Sequence, residues 1–274
     1  MKAIIICKPD IASCNIFENL KSLRNWKEEG EFQGNPLLFY DDFLMATIND
    51  EHIFHDNVDI ELGKVLKQKP ECIIYASRHR SESGKRSLTV HPIGNFGKAE
   101  FGGKEKTLIP SSPHLMTEAL RILRKKAKDL DFSVSFEATH HGPFLSTPTF
   151  FIEIGSDEET WRYKGAGRAI AETILETQTR EYEVGIGIGG GHYSPRMTDV
   201  AIERKISFGH IVPTYALSNL TPDMARQVIS QTQDVKKVHF HKKHLKGEEY
   251  RKWKEFFLKI GITPVKSADL ELLK

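Results

Sequence analysis

The 274-residue sequence contains only three cysteines, Cys7, Cys14 and Cys72, and they form no C-x-x-C pair. An odd number of cysteines in a chain of this length argues against a disulfide scaffold and favours a reducing compartment. No apolar run approaches the length of a membrane span, and the apolar run in the N-terminal MKAIIICKPD is too short for a signal peptide. We therefore expect a cytoplasmic protein that has no membrane partner.

The sequence also lacks a large net charge, because 39 Lys and Arg residues nearly balance 37 Asp and Glu residues to give +2 at pH 7. Overall charge therefore gives no sign of nucleic-acid binding, and any basic surface has to be local. Apolar residues make up 39% of the chain, which is ordinary for a globular protein with a sizeable core.

Apolar strands and amphipathic helices alternate from residue 71 onward, which indicates parallel strands joined by crossover helices. We therefore predict one α/β domain over residues 1–274, with a doubly wound, mostly parallel sheet and helices on both faces. Strands are predicted at Lys2–Cys7, Leu37–Thr47, Glu51–His55, Glu71–Ser77, Phe132–Thr139, Thr149–Gly155, Glu183–Gly189, Phe208–Pro213, Val235–His241 and Ile262–Val265. Helices are predicted at 11–26, 59–67, 113–129, 157–178, from Ser194 onward, at 221–233 and at 247–260.

The segment from Arg78 to Ser112 is rich in Gly, Ser and Lys and shows little periodicity. We predict a long loop insertion near residues 78–112. A loop of this length inside a compact domain is usually functional or mobile.

Histidines follow four of the predicted strands. In open α/β sheets, ligands bind beyond the carboxyl ends of parallel strands, so these histidines should share one edge of the sheet. That convergence is the main functional signal in the sequence. The four segments are SRHR (Ser77–Arg80), HHGP (His140–Pro143), GGHYSPR (Gly190–Arg196) and VHFHKKH (Val238–His244).

The stretch FEATHHGP places a carboxylate and two adjacent histidines at the end of a strand. Glu137 and His141 would be roughly 13 Å apart along a straight strand, so they can act together only if the chain bends, as Gly142-Pro143 allows. A buried Glu137 has to be paired, protonated or bound to a cation. An adjacent pair of histidines after such a residue favours function over hydrogen bonding at a turn, so His140 and His141 are candidate catalytic or ligand residues.

The sequence gives weaker support for a functional role of the other histidines. SRHR is equally typical of a solvated basic loop, and VHFHKKH is more typical of a structural or phosphate-contacting surface. We expect structural roles for four isolated histidines, and His210 has no supporting pattern. The four are His52, His55, His91 and His114.

The run GIGIGGGH formally matches G-x-G-x-x-G, but no helix opens directly on its glycines, as a dinucleotide site requires. Glycines at alternate positions more simply leave one strand face bare. We therefore predict no nucleotide cofactor and retain only His192 from this segment.

Two local basic clusters are present. On the helix that follows Pro113, several cations lie away from the apolar face, and a second cluster lies near the C-terminus. Either is commonly just a solvated surface, but together they suit an RNA recognised through its phosphates. The candidate RNA-binding residues are Arg121, Arg124, Lys125, Lys128, Lys242, Lys243 and Arg251.

Three blocks of the sequence resemble the archaeal and plant D-aminoacyl-tRNA deacylase family. The resemblance spans nearly the whole chain, and ATHHGP and GGGHYSPR are its most specific parts. It implies a zinc-dependent esterase that removes D-amino acids from tRNA, with a core similar to phosphorylase/hydrolase-like folds such as bacterial peptidyl-tRNA hydrolase. The blocks are SRHRSESGKRSLTVHPIGN, FEATHHGPFLSTPTFFIEIGS, and GIGGGHYSPRMTD followed by FGHIVPTYAL.

The resulting hypothesis is an enzyme that hydrolyses the ester of D-aminoacyl-tRNA by a zinc-activated water. Glu137 would accept a proton, and Arg78 or the Gly189–Gly191 backbone would stabilise the oxyanion. The acceptor arm of tRNA would be the partner, and the protein would act as a monomer. The candidate zinc ligands, taken from the strand-end argument, are His79, His140, His141 and His192.

Two alternatives remain open. One is a metal-independent enzyme, similar to peptidyl-tRNA hydrolase or a phosphorylase, in which a histidine is the base. The other is a non-catalytic tRNA-binding protein whose histidines contact phosphate.

Overall fold

The computed structural model describes residues 1–82 and 84–273, and it contains fourteen strands and eight α-helices within those residues. The strands are β1 (Lys2–Cys7), β2 (Lys27–Phe32), β3 (Asn35–Tyr40), β4 (Phe43–Ile48), β5 (Cys72–Arg80), β6 (Ser87–His91), β7 (Gly94–Asn95), β8 (Thr107–Leu108), β9 (Ser133–Phe136), β10 (Thr149–Ser156), β11 (Glu183–Ile188), β12 (Ile206–Val212), β13 (Val235–Phe240) and β14 (Thr263–Val265). The helices are α1 (Ile11–Leu23), α2 (Val58–Leu66), α3 (Pro113–Lys126), α4 (Glu158–Trp161), α5 (Lys164–Glu176), α6 (Pro195–Glu203), α7 (Pro222–Ser230) and α8 (Gly247–Lys259).

The larger of two main sheets has eight strands in the order β2-β3-β4-β1-β5-β10-β6-β9. Its centre is parallel, whereas β6 runs antiparallel to β10, and β2, β3 and β4 form an antiparallel edge. Helices α1, α3 and α5 cover one face of this sheet and α2 covers the other, so β1, which α1 contacts, is buried along almost its whole length. The predicted α/β class, mostly parallel sheet and helices on both faces are confirmed.

The second sheet is entirely parallel, in the order β12-β11-β13-β14. Its core includes Trp253 and Phe257 of α8 packed with apolar residues of β11 and β13. Helix α3 packs against β6 and β9 of the large sheet and also against β12. The described strands therefore form two main sheets and the small β7–β8 pair, where the sequence pattern predicted one sheet.

Three predicted elements differ from the structure. The prediction of one strand over 37–47 is wrong because Asp41, which has a positive φ of 53°, turns the chain between β3 and β4. Residues His52–Phe54 form a 3₁₀ turn and not a strand. The predicted helix over 157–178 is interrupted between α4 and α5.

The segment 78–112 is not a single loop insertion. Arg78 to Arg80 still belong to β5, and Ser87–His91 is the fully buried strand β6 inside the large sheet. Only the part after β6, with the short β7–β8 pair, is mainly irregular. Burial between β10 and β9 stabilises β6 although its sequence, SLTVH, is too short to show a clear period.

Within the described part of the chain, no helix combines the length and the apolar composition that a transmembrane span requires.

His210 links the two sheets from the middle of β12. Its Nε2–H donates to the carbonyl of Ile109 at 3.0 Å, and its Nδ1 lies 3.0 Å from the hydroxyl of Thr139. Burial lowers the pKa of His210 to about 4, despite the opposing effect of its backbone hydrogen bonds. The ring is therefore neutral in the folded protein at neutral pH.

We predict that His210 makes the protein less stable in mild acid. The unfolded chain binds a proton at this residue below pH 6.5, whereas the folded protein does not until about pH 4, so stability falls as pH decreases through this window. Between pH 7 and pH 5 the loss from this residue is about 2 kcal/mol. Urea unfolding of the wild type and of His210→Gln at both pH values measures it, and equal pH dependence in the two proteins would contradict the prediction.

Candidate active site

One face of the large sheet carries a row of polar side chains beside α2. The strand register pairs His79 of β5 with Gly155 of β10, and His91 of β6 with Phe151 of β10. Because alternate residues of a strand share a face, His79, Glu153 and His91 all project from the same side of the sheet. Glycine at position 155 leaves the space that the ring of His79 occupies.

Glu137 lies at the centre of these side chains and is fully buried, at 0% exposure. Its Oε1 is 3.2 Å from Nδ1 of His79, and its Oε2 is 3.2 Å from Nε2 of His192. The Nε2 atoms of His140 and His91 are 3.7 and 4.0 Å from the same Oε2. One carboxylate is thus surrounded by four imidazoles that come from four separate segments.

The backbone brings the second sheet to this carboxylate. Residue 137 forms an isolated antiparallel bridge with Tyr193, and the N–H of Ala138 donates to the carbonyl of His192 at 2.8 Å. The hydroxyl of Tyr193 also lies 3.0 Å from Nε2 of His79. The loop after β11 is therefore fixed against the segment that carries Glu137.

The ligand atoms of these side chains are close enough to bind a cation. Three groups have their potential ligand atoms within 4.8 Å of one another. The first two groups share no residue, and the third contains one residue from each of them. The groups are His91 with His140 and His141, His79 with Glu137 and His192, and His91 with Glu137 and Glu153.

The three imidazoles of the first group are oriented by backbone carbonyls. The Nδ1 atoms of His91, His140 and His141 lie 3.1, 2.8 and 2.5 Å from carbonyl oxygens, which can only accept. In His140 and His141, Nδ1 is therefore the protonated nitrogen of a neutral ring and Nε2 carries a free lone pair, whereas Nε2 of His91 lies 3.4 Å from Oε2 of Glu153. Metal-binding histidines are commonly held in this way.

Burial and the neighbouring His91 lower the pKa of His140 and of His141 well below its usual range, so both rings are neutral at pH 7. For His91 itself, burial lowers the pKa, but Glu153 and Glu137 outweigh it and raise the pKa. Burial raises the pKa of Glu137, yet the surrounding histidines hold it well below its usual range. Glu137 is thus a charged carboxylate whose own side chain has no solvent exposure.

Several buried atoms of this cluster have no hydrogen-bond partner of normal geometry among the described residues. They are both carboxylate oxygens of Glu137 and Nε2 of His91. A buried unpaired carboxylate is costly, so a positively charged ligand would satisfy it. Imidazoles and carboxylates are among the ligands that zinc and other divalent transition metals bind.

A pocket of about 380 Å³ opens onto His140, His141 and His192. Two large aromatic side chains on its wall are exposed to solvent, Phe101 at 63% and Tyr215 at 60%. The pocket therefore joins the polar cluster to an aromatic surface.

Known proteins of similar sequence identify the family of this chain. The family model for D-aminoacyl-tRNA deacylase matches residues 66–265. A D-aminoacyl-tRNA deacylase of Pyrococcus furiosus is 40% identical over 270 residues, which cover 97% of this chain and all of the relative. One from Methanosarcina mazei is 37% identical and covers 98% of this chain and 93% of its own length. The chain belongs to the D-aminoacyl-tRNA deacylase family.

The fold has also been seen by crystallography. The crystal structure of a conserved protein of unknown function superposes with a TM-score of 0.91 at 31% identity, covering 99% of this chain and 96% of that one. The family predicted from ATHHGP and GGGHYSPR is confirmed by the family model and by the deacylase relatives.

The deacylase fold brings five of the predicted site residues together and leaves out Arg78. The four predicted histidine ligands and Glu137 lie in one cluster, although they divide into two groups around the carboxylate. Arg78 lies elsewhere, since strand alternation turns it away from His79. Its Nη2 is 3.0 Å from Glu51, and its guanidinium lies over the ring of Trp161. The amides proposed as oxyanion donors are also partly engaged, because Gly189 and Gly190 donate to Val212 and Thr214.

Sequence reasoning missed His91 and Glu153. His91, for which the sequence predicts only a structural role, lies 4.0 Å from Glu137 and forms a candidate ligand group with the histidine pair. The sequence predicts a loop for the segment that contains His91. Because β6 runs antiparallel to β10, the sequence also gives no reason to expect the end of β6 at the edge where the parallel strands end. Glu153 in the strand TFFIEIGS was a detectable signal, since a charged residue within an apolar strand needs a partner.

The predicted basic clusters are mostly on the surface, with one exception. Arg121 is 5% exposed, and its guanidinium donates to the carbonyls of Ala201, Arg204 and Ile206 at 2.8–2.9 Å. The prediction that it belongs to an exposed RNA-binding patch is therefore wrong. The other six are exposed, namely Arg124, Lys125, Lys128, Lys242, Lys243 and Arg251.

We predict that Gly155→Ala displaces the ring of His79. The added Cβ would lie 2.4 Å from Oγ of Ser87 and 3.0 Å from Cδ2 of His79. Histidine NMR signals of His79 should therefore change, because the ring loses its contact with Glu137. The matched control is Gly247→Ala, whose Cβ would meet nothing closer than 3.6 Å. Unchanged His79 signals in Gly155→Ala would contradict the prediction.

Proposed function

We propose that this protein hydrolyses the ester bond of D-aminoacyl-tRNA and releases the D-amino acid and free tRNA. The observation that carries the proposal is the buried carboxylate of Glu137, which has no hydrogen bond of normal geometry among the described residues and lies within a cluster of histidines at the end of an open pocket. The names of the matching relatives supply the substrate class. The alternative of a non-catalytic RNA-binding protein leaves this buried cluster without a purpose.

The first group of ligands, His91, His140 and His141, fits zinc. The free Nε2 lone pairs of neutral His140 and His141, together with His91 once it gives up a proton, would match a catalytic zinc site that keeps one position open. A zinc ion there would supply acidification of a water molecule and polarisation of the ester carbonyl. The separate group of His79, Glu137 and His192 offers a second place for a cation.

Glu137 is the proton acceptor in this proposal. Its oxygens face both groups and have no competing hydrogen bond among the described residues. As water attacks the ester carbonyl, one proton passes to Glu137. When the carbon–oxygen bond breaks, that proton passes to the leaving ribose oxygen, which becomes the hydroxyl of the terminal nucleoside. Tyr193 positions His79 beside the same carboxylate through its hydroxyl.

The aromatic wall of the pocket suits the terminal adenosine of tRNA. Exposed aromatic rings are typical platforms for unpaired bases. Phe101 and Tyr215 lie on the same pocket as His140 and His192, so a stacked adenine would leave its ribose close to the cluster. Burial, together with Glu137, raises the pKa of Tyr215, so its hydroxyl remains a donor at neutral pH.

The remaining parts of the proposal concern the rest of the substrate and the assembly. The six exposed basic residues named above would contact phosphates of the acceptor arm. Because α3 packs on both sheets, we propose that residues 1–274 form one domain. We further propose that it acts as a monomer.

We predict that deacylation requires the metal and its ligands. Chelation should abolish hydrolysis of D-aminoacyl-tRNA, and zinc should restore it. His91→Gln, His140→Gln and Glu137→Gln should lower kcat by about a thousandfold, because each removes a ligand or the proton acceptor. The measurements are release of D-amino acid from charged tRNA and metal content of each purified protein.

The control for this prediction is His114→Gln. His114 lies on α3, contacts Ser207 and is outside the cluster, so its variant should keep wild-type turnover. Full activity of the wild type after metal removal would contradict the zinc mechanism.

We predict that the aromatic wall determines KM. Phe101→Ala and Tyr215→Ala should each raise KM for D-aminoacyl-tRNA and for D-aminoacyl-adenosine about tenfold, because each removes a stacking surface. Tyr215→Phe should keep the wild-type KM, which separates the ring from the hydroxyl. Tyr163→Ala, which removes another exposed aromatic ring, is the control. Wild-type KM in both alanine variants of the pocket would exclude the stacking model.

A further inference from the structure

A second pocket lies at the carboxyl ends of β13 and β14. Its volume is about 600 Å³, and its described lining residues include five cations and one acid. The acid, Asp269, already accepts a hydrogen bond from the N–H of Lys266 at 2.7 Å. The lining cations are Arg196, Lys242, Lys243, Lys254 and Lys266. The pocket is therefore suited to an anion.

The topology of the second sheet places this pocket near a ligand-binding position. The chain passes from β11 to β12 on one side and then crosses to β13 on the other side, so its direction reverses between β11 and β13. Ligands of open parallel sheets bind outside the carboxyl ends of strands at such a reversal. His241, which follows β13 and lines the pocket, lies against Gly189 and Gly190. Those glycines lead directly to His192 of the candidate active site.

His239 gives the pocket a second polar feature. It is 3% exposed, and its Nδ1 lies 3.1 Å from the carbonyl of Val265, so Nδ1 carries the proton. Burial and the nearby Arg196 lower the pKa of His239 to about 4, so the ring is neutral at pH 7. Its Nε2 is then a hydrogen-bond acceptor, and it has no partner among the described residues. A ligand that satisfies it has to bring a donor.

We propose that this pocket binds one ribonucleotide of the tRNA, with its phosphate held by the cations and its 2′-hydroxyl donating to Nε2 of His239. The phosphodiester of a nucleic acid would not satisfy His239 by itself, because it carries no proton at neutral pH and only accepts hydrogen bonds. A deoxyribonucleotide lacks the donor as well, so the pocket distinguishes RNA from DNA. The inference rests on the proposed function for the identity of the RNA and adds a site separate from the catalytic cluster.

The cationic part is tested with the double variant Lys254→Ala/Lys266→Ala, in which both altered residues are exposed. Fluorescence anisotropy with uncharged tRNA should show about tenfold weaker binding and a shallower dependence on salt. The control is Lys21→Ala/Lys64→Ala, which removes the same charge from exposed positions on α1 and α2. Equal weakening in both double variants, or wild-type binding in the first, would overturn the proposal.

The hydroxyl contact is tested with His239→Phe, which keeps a ring of similar size but removes the acceptor. Single 2′-deoxy substitutions along the acceptor strand should identify one position that weakens binding to the wild type about tenfold. The same substitution should have no effect on binding to His239→Phe, because the two changes remove one contact. If no deoxy position distinguishes the two proteins, the assignment of His239 is wrong.

Hydrolysis of D-aminoacyl-adenosine separates this inference from the proposed function. The small ester does not reach the second pocket, so Lys254→Ala/Lys266→Ala should cleave it at the wild-type rate. Absence of cleavage of any D-aminoacyl ester by the wild type would refute the proposed function, whereas the binding measurements would still decide on the pocket.

Discussion

The buried carboxylate of Glu137 is the constraint on which the site depends. A fully buried carboxylate without a hydrogen bond of normal geometry costs free energy of folding unless positive charge compensates it. Here four imidazoles lie within 4.0 Å of its oxygens, and their combined effect keeps the carboxylate ionised. The surrounding backbone keeps this arrangement, because three of the histidines of the cluster donate their Nδ1 protons to carbonyls and direct Nε2 inward.

The residues of the cluster come from both sheets of the fold. The large sheet supplies His79, His91 and Glu153 from one face, and the strand exit after β9 supplies Glu137. The second sheet supplies His192 through the loop after β11, which pairs with residues 136–138 through backbone hydrogen bonds. His210 reinforces this contact through Thr139. The active cluster therefore lies where two independently hydrogen-bonded sheets meet, and neither sheet carries all of it.

The candidate site was partly predictable from the sequence because strand exits concentrate functional residues in parallel folds. That rule found His79, Glu137, His140, His141 and His192. It failed for His91, which ends an antiparallel strand whose five residues resembled the surrounding loop. Two predictions for arginines also differ from the structure, namely Arg78 as an oxyanion donor and Arg121, from the basic cluster on α3, as an RNA contact. Both arginines instead satisfy internal acceptors, Glu51 for one and three carbonyls near β12 for the other.

The sequence by itself determined the α/β class, the family and most of the histidines of the cluster around Glu137, because apolar periodicity and short motifs are local properties of the chain. The tertiary structure decided how those histidines divide into ligand groups, that His91 and Glu153 join them, and that Arg121 is buried. These outcomes depend on strand register and on contacts between residues far apart in the chain. Periodicity predicts that a strand exists, but it does not specify which neighbour the strand pairs with or in which direction it runs.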